Sequence, residues 1–198
     1  MEKIILASAS PRRRELLENI GIPFSVLVPN VDESTVSKDV PPKLYVQELA
    51  LLKAGAAAGL LQSKQKKDGI ILAADTIVCQ NGDILGKPAD EEAAFAMLSA
   101  LSDQVHTVYT GFCVMRAADG FSVCRGIKTE VKFKKLAADK ILRYIHTGEP
   151  LDKAGAYGIQ GFGATLVERI DGDYFNVVGL PLAALTDVLE QDFGWEIF

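Results

Sequence analysis

The chain has 198 residues, 48% of them hydrophobic and 24% charged, a globular composition long enough to bury a core in one domain or two closely joined lobes. Disordered and fibrous classes are set aside. A formal net charge of −5 offers no general attraction to a polyanion, so no nucleic-acid partner is expected of a sequence whose basic runs are all short. Cys79, Cys113 and Cys124 are odd in number and lack metal-ligand spacing, residues 4–7 are too short for a secretory apolar segment, and no apolar run approaches the ~20 residues of a membrane helix. The expectation is a reduced, cytoplasmic, soluble protein with no membrane partner.

Residues 3–7 are a brief β-rich run ending in Ser8-Ala9-Ser10-Pro11, after which Leu16, Leu17 and Ile20 recur at helical spacing before Gly21, predicting a helix over 12–20. A second strand is predicted over 24–28, a polar loop over 30–40, and a long alanine- and leucine-rich helix over 42–62. After a solvated turn at 64–69, a buried strand over 70–74 is expected to stop at Asp75-Thr76. Residues 77–80, an Asn81-Gly82 turn and Gly86-Lys87-Pro88 follow. Asp90 caps a helix with Glu91 and Glu92 in its first turn and Phe95, Leu98 and Leu101 along one flank.

A long hairpin is predicted over 105–136 around Ala118-Asp119-Gly120, then a helix over 139–146 and a glycine-rich loop over 155–163. Strands over 165–170 and 175–178 and a final helix after Pro181 complete the chain. No repeat or low-complexity linker interrupts it. The irregular mixture predicts an α/β protein with a mixed sheet, read as one domain over 1–198.

Four places carry candidate chemistry. In Ser8-Ala9-Ser10-Pro11-Arg12-Arg13-Arg14, Ser10 is placed to cap a helix and Pro11 suits its first position, so free backbone N–H groups there attract phosphate. Arg12 and Arg13 add charge-assisted donors and Ser8 a hydroxyl; the alternative is a capped surface helix with solvated arginines. Asp75 ends an apolar run on the face shared by Ile71 and Ala73, which suits a base or a metal ligand, against the alternative of an aspartate opening a turn. Lys53 shares a helical stripe with Val46, Leu49, Ala50, Ala57 and Leu60, and either faces a cleft or snorkels to solvent. Glu33, a loop carboxylate, is a candidate Mg²⁺ ligand or simply solvated.

Two glycine-rich segments fail as classical phosphate loops. Residues 82–88 are one residue short of a Walker A loop and place Pro88 where Ser or Thr belongs, and residues 158–163 run in the wrong order for a dinucleotide fingerprint. Lys87 after its turn, and Asp152-Lys153-Ala154-Gly155 leading into glycine-rich backbone, remain of interest. His106 and His146 have no partners at zinc spacing, and the cysteines read as small apolar side chains with nothing to lower a thiol pKa.

Taken together, the chain resembles the Maf family of nucleotide pyrophosphatases. The resemblance rests on Leu6-Ala7-Ser8-Ala9-Ser10-Pro11-Arg12-Arg13, Glu33, Leu49-Ala50 with Lys53-Ala54, Ala74-Asp75-Thr76 and Gly86-Lys87-Pro88. It continues through 152–161 and 171–181, and so spans nearly the whole chain. It implies an elongated mixed sheet with helices in two lobes and a nucleotide cleft, similar to inosine triphosphatases, usually as a homodimer. It also implies cleavage of a pyrimidine nucleoside triphosphate such as dTTP or UTP to monophosphate and pyrophosphate, with a divalent metal, Mg²⁺ first and Mn²⁺ or Co²⁺ as alternatives. By the same resemblance Asp75 is the proton acceptor or a metal ligand with Glu33, and Ser8, Ser10, Arg13, Lys53, Lys87 and Lys153 line the phosphates. Arg12, Thr76 and Gln160 set the dTTP/UTP preference. A pyrophosphatase for 7-methyl-GTP or a noncanonical purine, and a non-catalytic regulator of cell division, are the alternatives.

Overall fold

In the computed structural model, which describes residues 2–64 and 68–197, the first apolar run is β1 (Ile4–Leu6), buried at every position as an interior parallel strand should be. Helix α1 (Pro11–Asn19) crosses over to β2 (Phe24–Val26), and α2 (Pro42–Ser63) lies between β2 and β3 (Ile70–Gln80). Both neighbours of β1 are parallel to it, with Ile4 opposite Phe24 on one side and Ile70 on the other, so a helical crossover is needed each time. Strand β3 turns through Asn81 and Gly82, both at positive φ (52° and 93°), into β4 (Asp83–Leu85), antiparallel to it with Val78 opposite Leu85.

The expected cap on α3 (Glu91–Leu101) is present: the Asp90 carboxylate accepts the Ala93 N–H at 2.8 Å. The hairpin is β5 (Val105–Arg116) and β6 (Ser122–Phe133), followed by α4 (Ala138–Ile145), β7 (Val167–Asp171), α5 (Tyr174–Val178) and α6 (Leu182–Phe193). The strands form one mixed seven-stranded sheet in the order β2-β1-β3-β5-β6-β7, with β4 attached to β3. The α/β class with a mixed sheet is therefore the observed one.

Four expectations are corrected. Strand β3 does not stop at Asp75 but runs through it to Gln80, because the carboxylate is satisfied by a lysine instead of by a turn. Residues 175–178 are helical, not extended. The Asp173 carboxylate accepts the Phe175 N–H at 2.7 Å, and buried Asn176 donates to the Val108 carbonyl and Thr129 Oγ1, contacts that override local β propensity. The loop over 30–40 contains a 3₁₀ turn, Glu33–Thr35, begun by the Asp32 carboxylate accepting the Ser34 N–H. Finally, α2, at 22 residues and mean hydropathy 1.3, is long and apolar enough to cross a membrane by composition. Its Tyr45, Val46, Leu49, Ala50, Ala54, Ala57, Ala58 and Leu61 are buried in this chain's own core. Of the turn expected at 64–69, Gln65, Lys66 and Lys67 lie outside the described residues.

The chain divides into two compact units. The first, Met1–Asp75 with Thr110–Ile127 and Gly179–Phe198, has a core of small residues from α2 (Ala50, Ala54, Ala57, Ala58) against Ile5, Ala7, Ile71, Ala73, Cys113 and Met115. Two glycines let α2 lie close. A Cβ on Gly111 would run into the Val46 carbonyl, and one on Gly126 would come within 2.7 Å of the Lys43 carbonyl. The second unit, Thr76–Tyr109 with Lys128–Val178, packs Leu98, Leu101, Val108, Val131, Phe133, Ile141, Tyr144 and Tyr157 into a core of large side chains.

Candidate active site

Strand alternation puts Asp75 on the same face of β3 as Ile71 and Ala73, the face that α2 covers. Lys53 of α2 meets it there, Nζ to Asp75 Oδ1 at 2.5 Å, and the same ammonium reaches Glu33 Oε1 at 2.8 Å. The snorkelling alternative for Lys53 is thereby excluded. Its side chain is 15% exposed and that of Asp75 16%, whereas Glu33, on its 3₁₀ turn, is 51% exposed. Two carboxylates are thus gathered around one ammonium at a sheet position. Tyr45 of α2 senses them: burial raises its phenol pKa, and the charges of Asp75 and Glu33 raise it further.

Arg13 is no solvated arginine. Its Nε donates to the Gly179 carbonyl at 2.8 Å, and Nη1 donates to the Ala74 carbonyl at 2.9 Å and to Ser8 Oγ at 3.0 Å. One guanidinium therefore ties α1 to the residue preceding Asp75 and to the chain ahead of α6. Burial lowers its pKa, opposed by the charge of nearby Asp75. Ser8, itself buried, also accepts the Ser10 N–H at 3.2 Å. Ser10 occupies the N-cap position with Pro11 following, but its side chain makes no capping hydrogen bond, which corrects the expectation that its hydroxyl caps the helix. Arg12 is half-buried.

The remaining expected residues belong to the second unit. Thr76 and Gln160 are half-buried and Lys87 is exposed. Lys153 Nζ donates to the Glu149 carbonyl and to Asp152 Oδ1, each at 2.6 Å. The Gly155 N–H donates to the Gly86 carbonyl at 3.0 Å, which brings the Lys87 and Lys153 segments side by side. Gly155 needs its positive φ of 68°, and a Cβ there would press on Val78 at 3.0 Å. Tyr157 anchors the same segment. Its hydroxyl meets His106 Nε2 at 2.7 Å, and both rings pack edge-on against Phe133. Burial holds His106 neutral, its pKa lowered to about 4, and leaves Nδ1 without a partner among the described residues.

The cysteines behave as apolar residues with one exception. Burial pushes the Cys79 thiol up to about 11. Cys113 and Cys124 share a thiol hydrogen bond that raises the pKa of Cys113 and lowers that of Cys124, correcting the expectation that nothing lowers a thiol pKa here. No cluster of three or more histidine, cysteine or acidic residues suited to a metal occurs among the described residues, so Glu33 and Asp75 are the acidic pair to consider.

Sequence reasoning passed over Tyr45, which feels the charges of Asp75 and Glu33, and Glu149, whose carbonyl accepts Lys153 Nζ. A tyrosine in an apolar helix and a glutamate before a proline carry no local signal.

A family model described as Maf-like protein matches residues 3–192. The chain is 50% identical over 191 residues to a dTTP/UTP pyrophosphatase of a Thermoanaerobacter species, covering 96% of this chain and 97% of that one. It is 52% identical over 199 residues to the dTTP/UTP pyrophosphatase of Moorella thermoacetica, covering 100% and 98%. A solved HAM1 protein from Coxiella burnetii is 17% identical with a TM-score of 0.49, over 84% of this chain and 81% of that one.

Proposed function

Since the chain belongs to the Maf-like protein family, we propose that it hydrolyses dTTP and UTP between the α- and β-phosphates, releasing the nucleoside monophosphate and pyrophosphate. The names of its relatives support the substrate class. The observation that carries the chemistry is the ammonium of Lys53 between Asp75 and Glu33. Lys53 fixes the direction of the Asp75 carboxylate, and Asp75 takes the proton of the attacking water. Arg12, Ser8 and Ser10 of the first unit and Lys87 and Lys153 of the second supply the groups that bind phosphate oxygens. Arg13 holds Ala74, and so the strand at Asp75, in place.

Two carboxylates that converge on one cation suit a hard divalent ion such as Mg²⁺, which takes one or two protein carboxylates and completes its shell with water and phosphate. Glu33 and Asp75 would hold it, and bound there it would neutralise charge on the leaving pyrophosphate. Base choice falls to Gln160 with Thr76 and Arg12. A carboxamide held in one orientation matches the acceptor O4 and donor N3 of thymine and uracil, and meets cytosine with the pattern reversed.

A panel of nucleoside triphosphates assayed for pyrophosphate release with Mg²⁺ present tests this reading. dTTP and UTP should lead in kcat/KM over dCTP, CTP and the purines by about ten- to a hundredfold, the range a buried hydrogen-bond mismatch of ~1–3 kcal/mol gives. Asp75→Asn should bind nucleotide and lose nearly all turnover, while Gln160→Ala should narrow the ranking. Turnover of none of them would favour a non-catalytic binding protein, and 7-methyl-GTP as best substrate would move the chain to the other branch.

A further inference from the structure

Gln160 follows buried Ile159, but the next two residues, Gly161 and Phe162, are exposed and add nothing to the core. Gln160 itself is in extended backbone (φ −98°, ψ 170°) and precedes a 3₁₀ helix, Gly161–Thr165, whose first N–H groups need acceptors. Glu149 supplies them. Its Oε2 accepts the Phe162 N–H at 2.9 Å, and its Oε1 accepts the Gly163 N–H at 3.0 Å and the Tyr144 hydroxyl at 2.9 Å. Tyr144 Oη in turn accepts the Gly158 N–H at 3.3 Å. The backbone on both sides of Gln160 is therefore bonded to one carboxylate and the phenol that carboxylate holds.

The glycines of the loop are shaped to this arrangement. Gly161 is at φ 62°, and a Cβ there would come within 2.7 Å of Glu149 Oε2. A Cβ on Gly163 would overlap the Gly158 carbonyl and come within 2.7 Å of Tyr144 Oη. Both absences of a side chain let the loop close onto the carboxylate. The Glu149 carbonyl also accepts Lys153 Nζ, so one residue seats a phosphate-binding lysine through its main chain and the base-reading loop through its side chain. Burial and the bond to Glu149 raise the Tyr144 phenol pKa, which keeps the proton on the tyrosine.

We propose that Glu149 and Tyr144 form a clamp that fixes the orientation of Gln160 and makes Glu149 a positioning residue for base selection. The proposal rests on the reading of Gln160 given above. A charged acceptor serving two backbone N–H groups is stronger and more directional than a neutral one, and a carboxamide discriminates between bases only while its two ends cannot exchange. Glu149→Gln keeps the size, turns an NH₂ toward one of the backbone donors, and releases the loop.

The test measures two quantities on the full chain: amide hydrogen exchange at 158–163, and the ratio of kcat/KM for dTTP over dCTP. In Glu149→Gln the amides of Phe162 and Gly163 should exchange faster, and the ratio should fall about tenfold, equivalent to ~1.4 kcal/mol. The loss should appear mainly in the preferred substrate. Tyr144→Phe, which removes one bond and leaves the carboxylate, should move both readouts in the same direction by less, and it carries the test should Glu149→Gln fail to fold. Faster exchange with an unchanged ratio, or an equal loss for every nucleotide, would reduce Glu149 to a structural role and overturn the proposal. A wild-type chain without dTTP preference would sink the reading of Gln160 instead, and unchanged exchange in Glu149→Gln would sink the clamp whatever the substrate.

Discussion

Lys53 is worth more to this site than a surface cation because its partners differ. Its bond to Asp75 is shielded on both sides, whereas that to Glu33 is half in water, where an ion pair contributes only about 0–1 kcal/mol. The shielded half gives the carboxylate its direction. His106 is the residue whose charge state bears on stability. Its folded pKa, lowered to about 4, lies below the ordinary 6.5, so the unfolded chain binds the extra proton between those values. The neutral imidazole therefore contributes stability that is present above pH 6.5 and lost as pH falls toward 4, up to about 3 kcal/mol at 1.36 kcal/mol per unit. Urea unfolding at pH 7 and pH 4.5 should show a steeper loss in the wild type than in His106→Phe, which keeps the ring packing against Phe133. Equal slopes would remove His106 as the source. Of the site, Asp75, Lys53 and the Ser8–Arg13 segment were legible because local patterns mark them: an acid on a buried face, a lysine in an apolar stripe, a cap position before proline. Glu149 and Tyr144 were not, since their meaning comes from bonds to residues 158–163, which no local pattern encodes.

At the scale of the element, α2 shows how a helix can be read correctly and still be misplaced. Alanine and leucine content gave its bounds to within a residue, yet its seating depends on Gly111 and Gly126 in a hairpin far along the chain. Gly111→Ala should cost about 2–4 kcal/mol, since the Val46 carbonyl it would strike is helix backbone and cannot swing aside. It should also lower kcat, because lifting α2 moves Lys53 off Asp75. Gly55 and Gly59, exposed on the same helix with nothing near a new Cβ, should respond oppositely: each change to alanine should stabilise by about 0.5–1 kcal/mol through helix propensity. Thermal melts of the three variants decide this, and a stable Gly111→Ala would mean that α2 is not held by close approach. The misread elements share a cause. Residues 175–178 look β-prone and Asp75 looks like a strand end until Asn176 and Lys53 supply partners from elsewhere in the chain.

For the whole molecule, each unit has its own core, small-residue in one and aromatic-rich in the other, but β3, β5 and β6 run through both. Strands shared in this way leave neither unit a complete set of elements, so unfolding should be a single transition with equal calorimetric and van't Hoff enthalpies. Two resolved transitions in scanning calorimetry would show that the units fold separately. The continuity of β3 has a further consequence for timing. Asp75 sits inside a hydrogen-bonded ladder, and such backbone opens only with the rarest excursions of the chain, while Glu33 rides a three-residue turn of the kind that opens readily. Glu33 is therefore expected to part from Lys53 more often than Asp75 does, which faster hydrogen exchange at 33–36 than at 74–76 would show. On the proposed reading, a cation held by these two acids would come and go at the pace of a short turn and not of the sheet.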